Sequence, residues 1–381
     1  MQNNRCMDSF STTFDSFPMM LGYHQELSQN SKWTQCPIKE LGVEPLDRTT
    51  DAFYNLDLLA KGTSAEAVED TAENLGLALR LNGELYPIRN TAYKSLLDRA
   101  KIGGSALPKL KRKDLADILN ACLNVHKEQK ALVLLREEKI TAVHSGDERD
   151  YSTLPIDELL LVLQMKLDER FPGNEFTSGY SDYSISGATW QLPKQKKELL
   201  GAYAVTLALH KKPITSELVP GIRFITSDTG KASAKVIALL MGGAMPIHIG
   251  GCVAVDHRHQ SKVEDFEAAL DQVFAQFGDN IEKLARLFDI QLEYPVNAMT
   301  RICKKLVMPK KEALEAIAMF EMAYGDGVAT AHDVFMGMQE IPYLLKIDGA
   351  PESKILAVQE SMARALSLNW KEFDLAKGVC Y

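Results

Sequence analysis

Apolar residues change their spacing twice along the chain. In the first 50 residues Ser, Thr, Asn, Gln and Asp dominate, and isolated aromatics (Phe10, Phe14, Phe17, Tyr23, Trp33) show no regular period. Helical spacing then predicts a helix over 64–83 whose apolar end can turn into a strand. It predicts another over 90–104, stopped by Gly103-Gly104, and a third over 111–126 carrying Leu115, Ile118, Leu119, Cys122 and Leu123. On this reading three helices precede the first strands. The stretch 131–145 predicts a hairpin turning at Glu137-Glu138, followed by a Leu-rich helix over 155–171 and two β-rich runs over 175–192, around Ser181-Asp182. Further strands are expected at 202–209, 221–227, 233–241 and 247–256. From about residue 260 the period becomes helical again. One long helix over 263–290, or two broken near Gly278, precedes helices at 309–325, 329–341 and 351–368.

Strands in a run rather than in alternation with helices imply an α+β fold with a mostly antiparallel or mixed central sheet, N-terminal helices and a C-terminal helical region. The divisions expected are an N-terminal arm over 1–60, acidic and spotted with aromatics, an α+β core over 61–258 and a helical region over 259–381. Met319, Met322, Met336 and Met338 on the late helices are expected as adaptable core packing.

The twenty residues 236–255, "VIALLMGGAMPIHIGGCVAV", contain no Asp, Glu, Lys or Arg and are long enough to span a bilayer. Gly242, Gly243, Pro246, Gly250 and Gly251 interrupt them, so two buried strands joined by "GGAMP" are expected instead, and no membrane contact. Six scattered cysteines without a C-x-x-C pair, and no apolar leader in the first twenty residues, suit a reducing cytoplasm. The net charge of −8 is uneven: residues 1–75 hold five Lys+Arg against twelve Asp+Glu, which leaves the other 306 residues at −1. That near-neutral body weakens the usual inference that an acidic chain avoids nucleic acid.

Candidate chemistry is sparse. "GIRFITSDTGKASAKV" (221–236) has the glycine and lysine of a phosphate loop, but Ile225 stands where that loop needs its first glycine and Ala232 where it needs Ser or Thr. Asp228-Thr229-Gly230 is instead expected as a strand turn, with Gly230 at positive φ. In "CVAVDHRHQ" (252–260), His257 and His259 would share one face of a strand and could begin a metal site with Asp256, Cys252 or His248. No second cluster completes such a site, so neither a metal nor a cofactor is expected. Basic islands remain: Lys109, Lys111, Arg112 and Lys113 in "KLKRK", and Lys194, Lys196 and Lys197 in "KQKK". Sharing a face, they could neutralise phosphates, with Tyr180, Tyr183 or Trp190 available to stack on bases; taken singly they are solvated lysines at helix starts.

The order "YPIRNTAYKSLLDRAKIGGSALPKL", "ADILNACLN", "LVLLREEKITAVHSGDERDYSTLPIDELL", "VPGIRFITSDTGKASAKV" and "GGCVAVDHRH" resembles a phage/plasmid-like protein family of unknown function, common in bacteriophages and prophages. The resemblance covers roughly residues 80–290. Thr226, Ser227, Asp228, Gly230 and Lys231 fall on that family's strand turn, whereas "MGGAMPIHIGG" departs from its next stretch. It implies a mobile-element setting and no agreed activity. The leading expectation is a cytoplasmic protein that contacts nucleic acid, single-stranded DNA favoured, in replication, recombination or counter-defence, without catalysis. Two alternatives stay open: a homo-oligomeric interaction or assembly subunit whose aromatic arm reaches a neighbour, and an enzyme with a site around Asp228 and His257, drawing on Ser227 and Lys231.

Overall fold

The computed structural model describes residues 5–212, 218–243, 245–325, 327–378 and 381, with the backbone alone of 251 and 252. The chain opens with β1 (Ser11–Phe14), α1 (Phe17–Gln29), β2 (Lys32–Pro37), β3 (Gly42–Pro45) and a short α2 (Asp51–Tyr54). Then come α3 (Ala65–Glu73), β4 (Leu77–Leu81), β5 (Glu84–Pro87), α4 (Asn90–Ala100) and α5 (Arg112–Val125). The middle holds β6 (Lys130–Arg136), β7 (Lys139–Ser145), α6 (Ile156–Arg170), β8 (Glu175–Asp182), β9 (Ser186–Gln191) and α7 (Lys196–Leu209). β10 (Val219–Thr226), β11 (Ala234–Met241), β12 (Ile247–Val255) and α8 (Val263–Arg286) follow. The C-terminal third adds β13 (Gln291–Leu292), α9 (Pro295–Lys305), α10 (Lys310–Tyr324), β14 (Ala329–Thr330), α11 (Ala331–Met338), α12 (Glu340–Ile347) and α13 (Glu352–Ala363).

The α+β expectation holds. A six-stranded antiparallel sheet runs β1-β8-β9-β10-β11-β12. One face is packed by α6, α7 and α8 through Leu159, Leu163, Trp190, Phe224, Phe266 and Phe277, and the later helices continue the same core. α13 lies on the other face, where Leu356 meets Ile237 and Leu239. A second core joins the sheet β2-β6-β7 to α4 and α5 through Leu96, Leu119, Val133 and Val143. The small sheet β3-β4-β5 is tied to it by a parallel bridge from Ile88 to Ile140. There are thus two lobes, and the N-terminal segment serves both. β1 extends the large sheet, while β2 and β3 enter the small ones.

The segment 236–255 is the antiparallel pair β11 and β12, with residue 244 of its turn outside the described residues. Among the described residues no helix is long and apolar enough to cross a membrane. The hairpin at Glu137-Glu138 forms as expected, with both residues left-handed at φ 48° and 68°. Such a turn ordinarily takes Asn and Gly. Here Glu138 is held because its Oε2 accepts from the Ser64 amide and hydroxyl at 2.8 and 2.6 Å, at the start of α3.

Several expectations are corrected. Residues 202–209 are helical, not a strand: Leu200, Tyr203 and Leu207 are buried one and two turns apart, a period masked by the alternation in "AYAVTLAL". Residues 11–45 form a helix and three strands, each strand too short and too partly buried to show a period. Strands therefore precede the three helices. The helix expected over 64–83 ends at Glu73 and its apolar end is the strand β4, the alternative left open, turning into β5 through Asn82-Gly83 at φ 53° and 86°. Of the two forms expected over 263–290, the single helix is the one present: α8 passes through Gly278 unbroken, though it ends at Arg286. The arm's aromatics pack on its own chain: Phe10 against Tyr183, Phe17 against Trp190, Trp33 against His144. Met338 is core, but Met319 and Met322 are exposed.

Candidate functional site

Where the lobes meet, a cleft of about 380 Å³ is walled by both. α4 contributes Lys94, Ser95, Asp98 and Arg99, one face of a helix. The end of β7 contributes Val143, His144 and Ser145, and the next loop Asp150 and Tyr151. The large lobe supplies Thr229, Gly230, Ala232 and Ser233 from the β10–β11 connection, with Asp256, His257 and Arg258 after β12.

The wall is organised around one carbonyl. The Asp228 oxygen accepts from the Tyr151 hydroxyl at 2.8 Å and from His144 Nε2 at 3.0 Å. A carbonyl only accepts, so His144 carries its proton on Nε2. The His144 and Tyr151 rings stack at 3.5 Å and 6°, and the His257 ring lies parallel to Tyr151 at 5.6 Å. His257 Nδ1 meets the Ser152 carbonyl at 3.1 Å, so that nitrogen is protonated. Its Nε2, buried among the cleft residues, has no partner. Burial pulls the His144 pKa down to about 4 and also lowers that of His257, so both rings are neutral at neutral pH. His257 Nε2 is therefore a bare acceptor in a 6%-exposed residue. Burial likewise raises the Tyr151 pKa, keeping that hydroxyl a donor. Around these lie three cations, Lys94, Arg99 and Arg258, and three carboxylates, Asp98, Asp150 and Asp256. Burial lowers the Arg99 pKa against the pull of Asp150 and Asp98.

The turn 226–231 is a strand turn, as its composition suggested. Gly230 has φ 71°. Ser227 Oγ donates to the Ser184 carbonyl at 2.5 Å and accepts from the Thr229 and Lys231 amides, while Lys231 Nζ donates to Ser184 Oγ at 3.1 Å. Thr226, buried, ends β10. The Asp228 carboxylate pairs with Arg136 Nη2 at 2.8 Å. Ser227, Asp228 and Lys231 thus fasten the turn to its neighbours, and their side chains do not converge with His257 on a reacting group.

His257 and His259 do not share a strand face. β12 ends at Val255 and His259 lies in a turn at φ 59°. Among the described residues no cluster of three His, Cys, Asp or Glu could hold a metal ion, and the Cys252 side chain lies outside them. The basic islands stand on different cores. Lys109, Lys111 and Lys113 are exposed before and at the start of α5, in the small lobe, whereas Arg112 turns inward and donates to the Asn74 carbonyl at 2.9 Å. Lys194 and Lys197 are exposed, and Lys196 half-buried, at the start of α7 in the large lobe. None of them lines the cleft. Sequence reasoning found His257 but missed His144, Tyr151, Lys94, Arg99 and Arg258, which no motif spacing links.

No protein-family model, curated protein or solved structure matches this chain.

Proposed function

We propose that this chain binds single-stranded nucleic acid without catalysis, the seam cleft taking one nucleotide. The observation that carries the reading is the bare His257 Nε2 in a polar cleft rimmed by Lys94, Arg99 and Arg258. Its volume falls in the lower part of the roughly 300–1,000 Å³ range of small-ligand clefts. Cations suit a phosphate, whereas His257 Nε2 and the carboxylates suit the amino and imino donors of a base edge. None of the acids at positions 40–73 lines the cleft. Lys109, Lys111, Lys113, Lys194, Lys196 and Lys197 would then add phosphate contacts along a strand leaving it. The resemblance to the phage/plasmid-like family supplies a mobile-element setting, and the thiol state of Cys6, Cys36, Cys122 and Cys303 suits a host cytoplasm.

A second reading, self-assembly, is favoured by exposed Leu314 and Met322 on α10 beside exposed Tyr343 and Ile347 on α12. The docked N-terminal arm gives it no support.

Fluorescence anisotropy with single- and double-stranded DNA and RNA across a salt series tests the first reading. Single strands are expected to bind at micromolar or tighter affinity, with a steep loss as salt rises. Lys94→Ala/Arg258→Ala, both at exposed positions, should weaken binding about tenfold or more. Absence of binding at low salt, or binding untouched by that double variant, overturns the cleft assignment.

A further inference from the structure

A second cavity, of about 170 Å³, opens at the edge of the large sheet, independently of the seam cleft. β12 is the edge strand, and its pairing with β11 slips: Ile237 faces Cys252, yet Leu239 faces His248. The extra residues make a β-bulge there, a device often found beside binding sites. Gly250 sits in the bulge at φ 108°, a backbone conformation side-chain-bearing residues rarely adopt, and a Cβ on it would stand 3.2 Å from Asn280 Oδ1. The glycine thus leaves room for α8 to bring Asn280 against the strand.

Two buried polar side chains in this cavity carry unpartnered atoms. His248 is 2% exposed and neither ring nitrogen has a hydrogen bond; Asn280 is 2% exposed and its Nδ2 has none. A buried unpaired polar group is destabilising, and two residues of this kind facing one cavity point to an absent ligand. The surrounding charge sets its sign. Lys283 Nζ reaches Asn280 Oδ1 at 3.3 Å, and Arg364 stands at the mouth. Arg223, held by Gln359 at 3.2 Å, is near enough to add to burial in keeping His248 neutral. The cavity's one carboxylate, Glu360, is already paired with Lys235 at 2.9 Å. The open groups are therefore the Asn280 amide N–H, two cations and an imidazole that offers one N–H and one acceptor nitrogen, a set in which donors outnumber acceptors.

We propose that this cavity binds a small oxyanion, the phosphate or carboxylate group of a small molecule, between His248, Asn280, Lys283 and Arg364. Ring-nitrogen NMR of histidine-labelled protein, titrated with inorganic phosphate, acetate and neutral acetamide, tests it. Phosphate, acetate or both should shift the His248 ring signals saturably, identifying the anion class. Lys283→Ala/Arg364→Ala, at exposed positions that leave the fold alone, should weaken that response about tenfold or more. The His257 signals report the seam cleft separately, so a response confined to them counts against this cavity. No saturable shift at His248, an equal response to acetamide, or a response unchanged in the double variant overturns the assignment.

Discussion

The seam between the lobes carries two polar clusters built on opposite terms. In one, the arm threads between the lobes and Asp8 is enclosed: its Oδ1 lies 3.3 Å from Lys139 Nζ and 3.4 Å from Arg89 Nη1, and its Oδ2 accepts from the Asn90 amide at 2.7 Å. Asp70 pairs with Lys139 and accepts from the Asp8 amide, while Arg89 stacks on Tyr183 at 3.6 Å and donates to the Met7 carbonyl. All four charged side chains are at most 6% exposed. In the other, the cleft, cations and carboxylates face solvent; each cluster holds an unpartnered buried nitrogen, Arg89 Nε in the first and His257 Nε2 in the second, but only the second opens onto a cavity. A closed cluster resists change because removing any member strands the rest; an open one keeps its groups for something else. The first fastens the arm and the lobes, and the second is where a ligand fits.

The largest effect should therefore come from the closed cluster. Asp70→Ala leaves Lys139 buried with only the longer contact to Asp8, and is expected to cost about 3–5 kcal/mol in urea unfolding. A loss below about 1 kcal/mol would mean that water reaches these charges and that the contrast fails.

Next comes acid. Burial depresses the pKa values of His24, His144 and His332 to about 4, below the ordinary value of 6.5. The unfolded chain takes up these protons first, so their contribution is complete above pH 6.5 and is lost as pH falls toward 4. Each should steepen the loss by up to about 1.4 kcal/mol per pH unit. Only His144 belongs to the cleft. His144→Phe should reduce that slope by up to about 1.4 kcal/mol per pH unit; an unchanged slope would show that the ring is already protonated or hydrated.

This contrast was only half legible in the sequence. The β6–β7 hairpin, the β11–β12 pair and the Gly230 turn follow from alternation and turn chemistry confined to neighbouring residues. The cleft does not, because His144, Tyr151 and His257 become parallel rings only after two turns from different lobes meet at one carbonyl. "DHRHQ" drew attention to His257 through a metal pattern, yet the residue that matters to it is Ser152, more than 100 positions away. Asp8 was visible only as one acid in an acidic segment. Nothing in its neighbours announces that it would be buried against Arg89 and Lys139, since both partners lie in stretches that read as ordinary helix start and hairpin turn.

His257→Phe isolates the open cluster. It removes one neutral hydrogen bond, so stability should fall by about 1 kcal/mol while nucleic-acid binding drops about tenfold. Lost stability comparable to that of Asp70→Ala, with binding intact, would make the ring a brace like the closed cluster.

The smallest effect sets the baseline for all of these. Arg80 and Glu44 pair across β3 and β4 with 44% and 41% of their side chains exposed, and Nη2 stands 2.6 Å from the carboxylate. The contact is as short as those of the closed cluster, so distance alone would rank it beside them. Water screens both charges, however, and each remains solvated when its partner is removed. Glu44→Ala should therefore change the urea midpoint by an amount equivalent to less than about 1 kcal/mol. A cost near that of Asp70→Ala would show that proximity rather than burial governs the ion pairs of this protein, and the distinction between its closed and open clusters would fall with it.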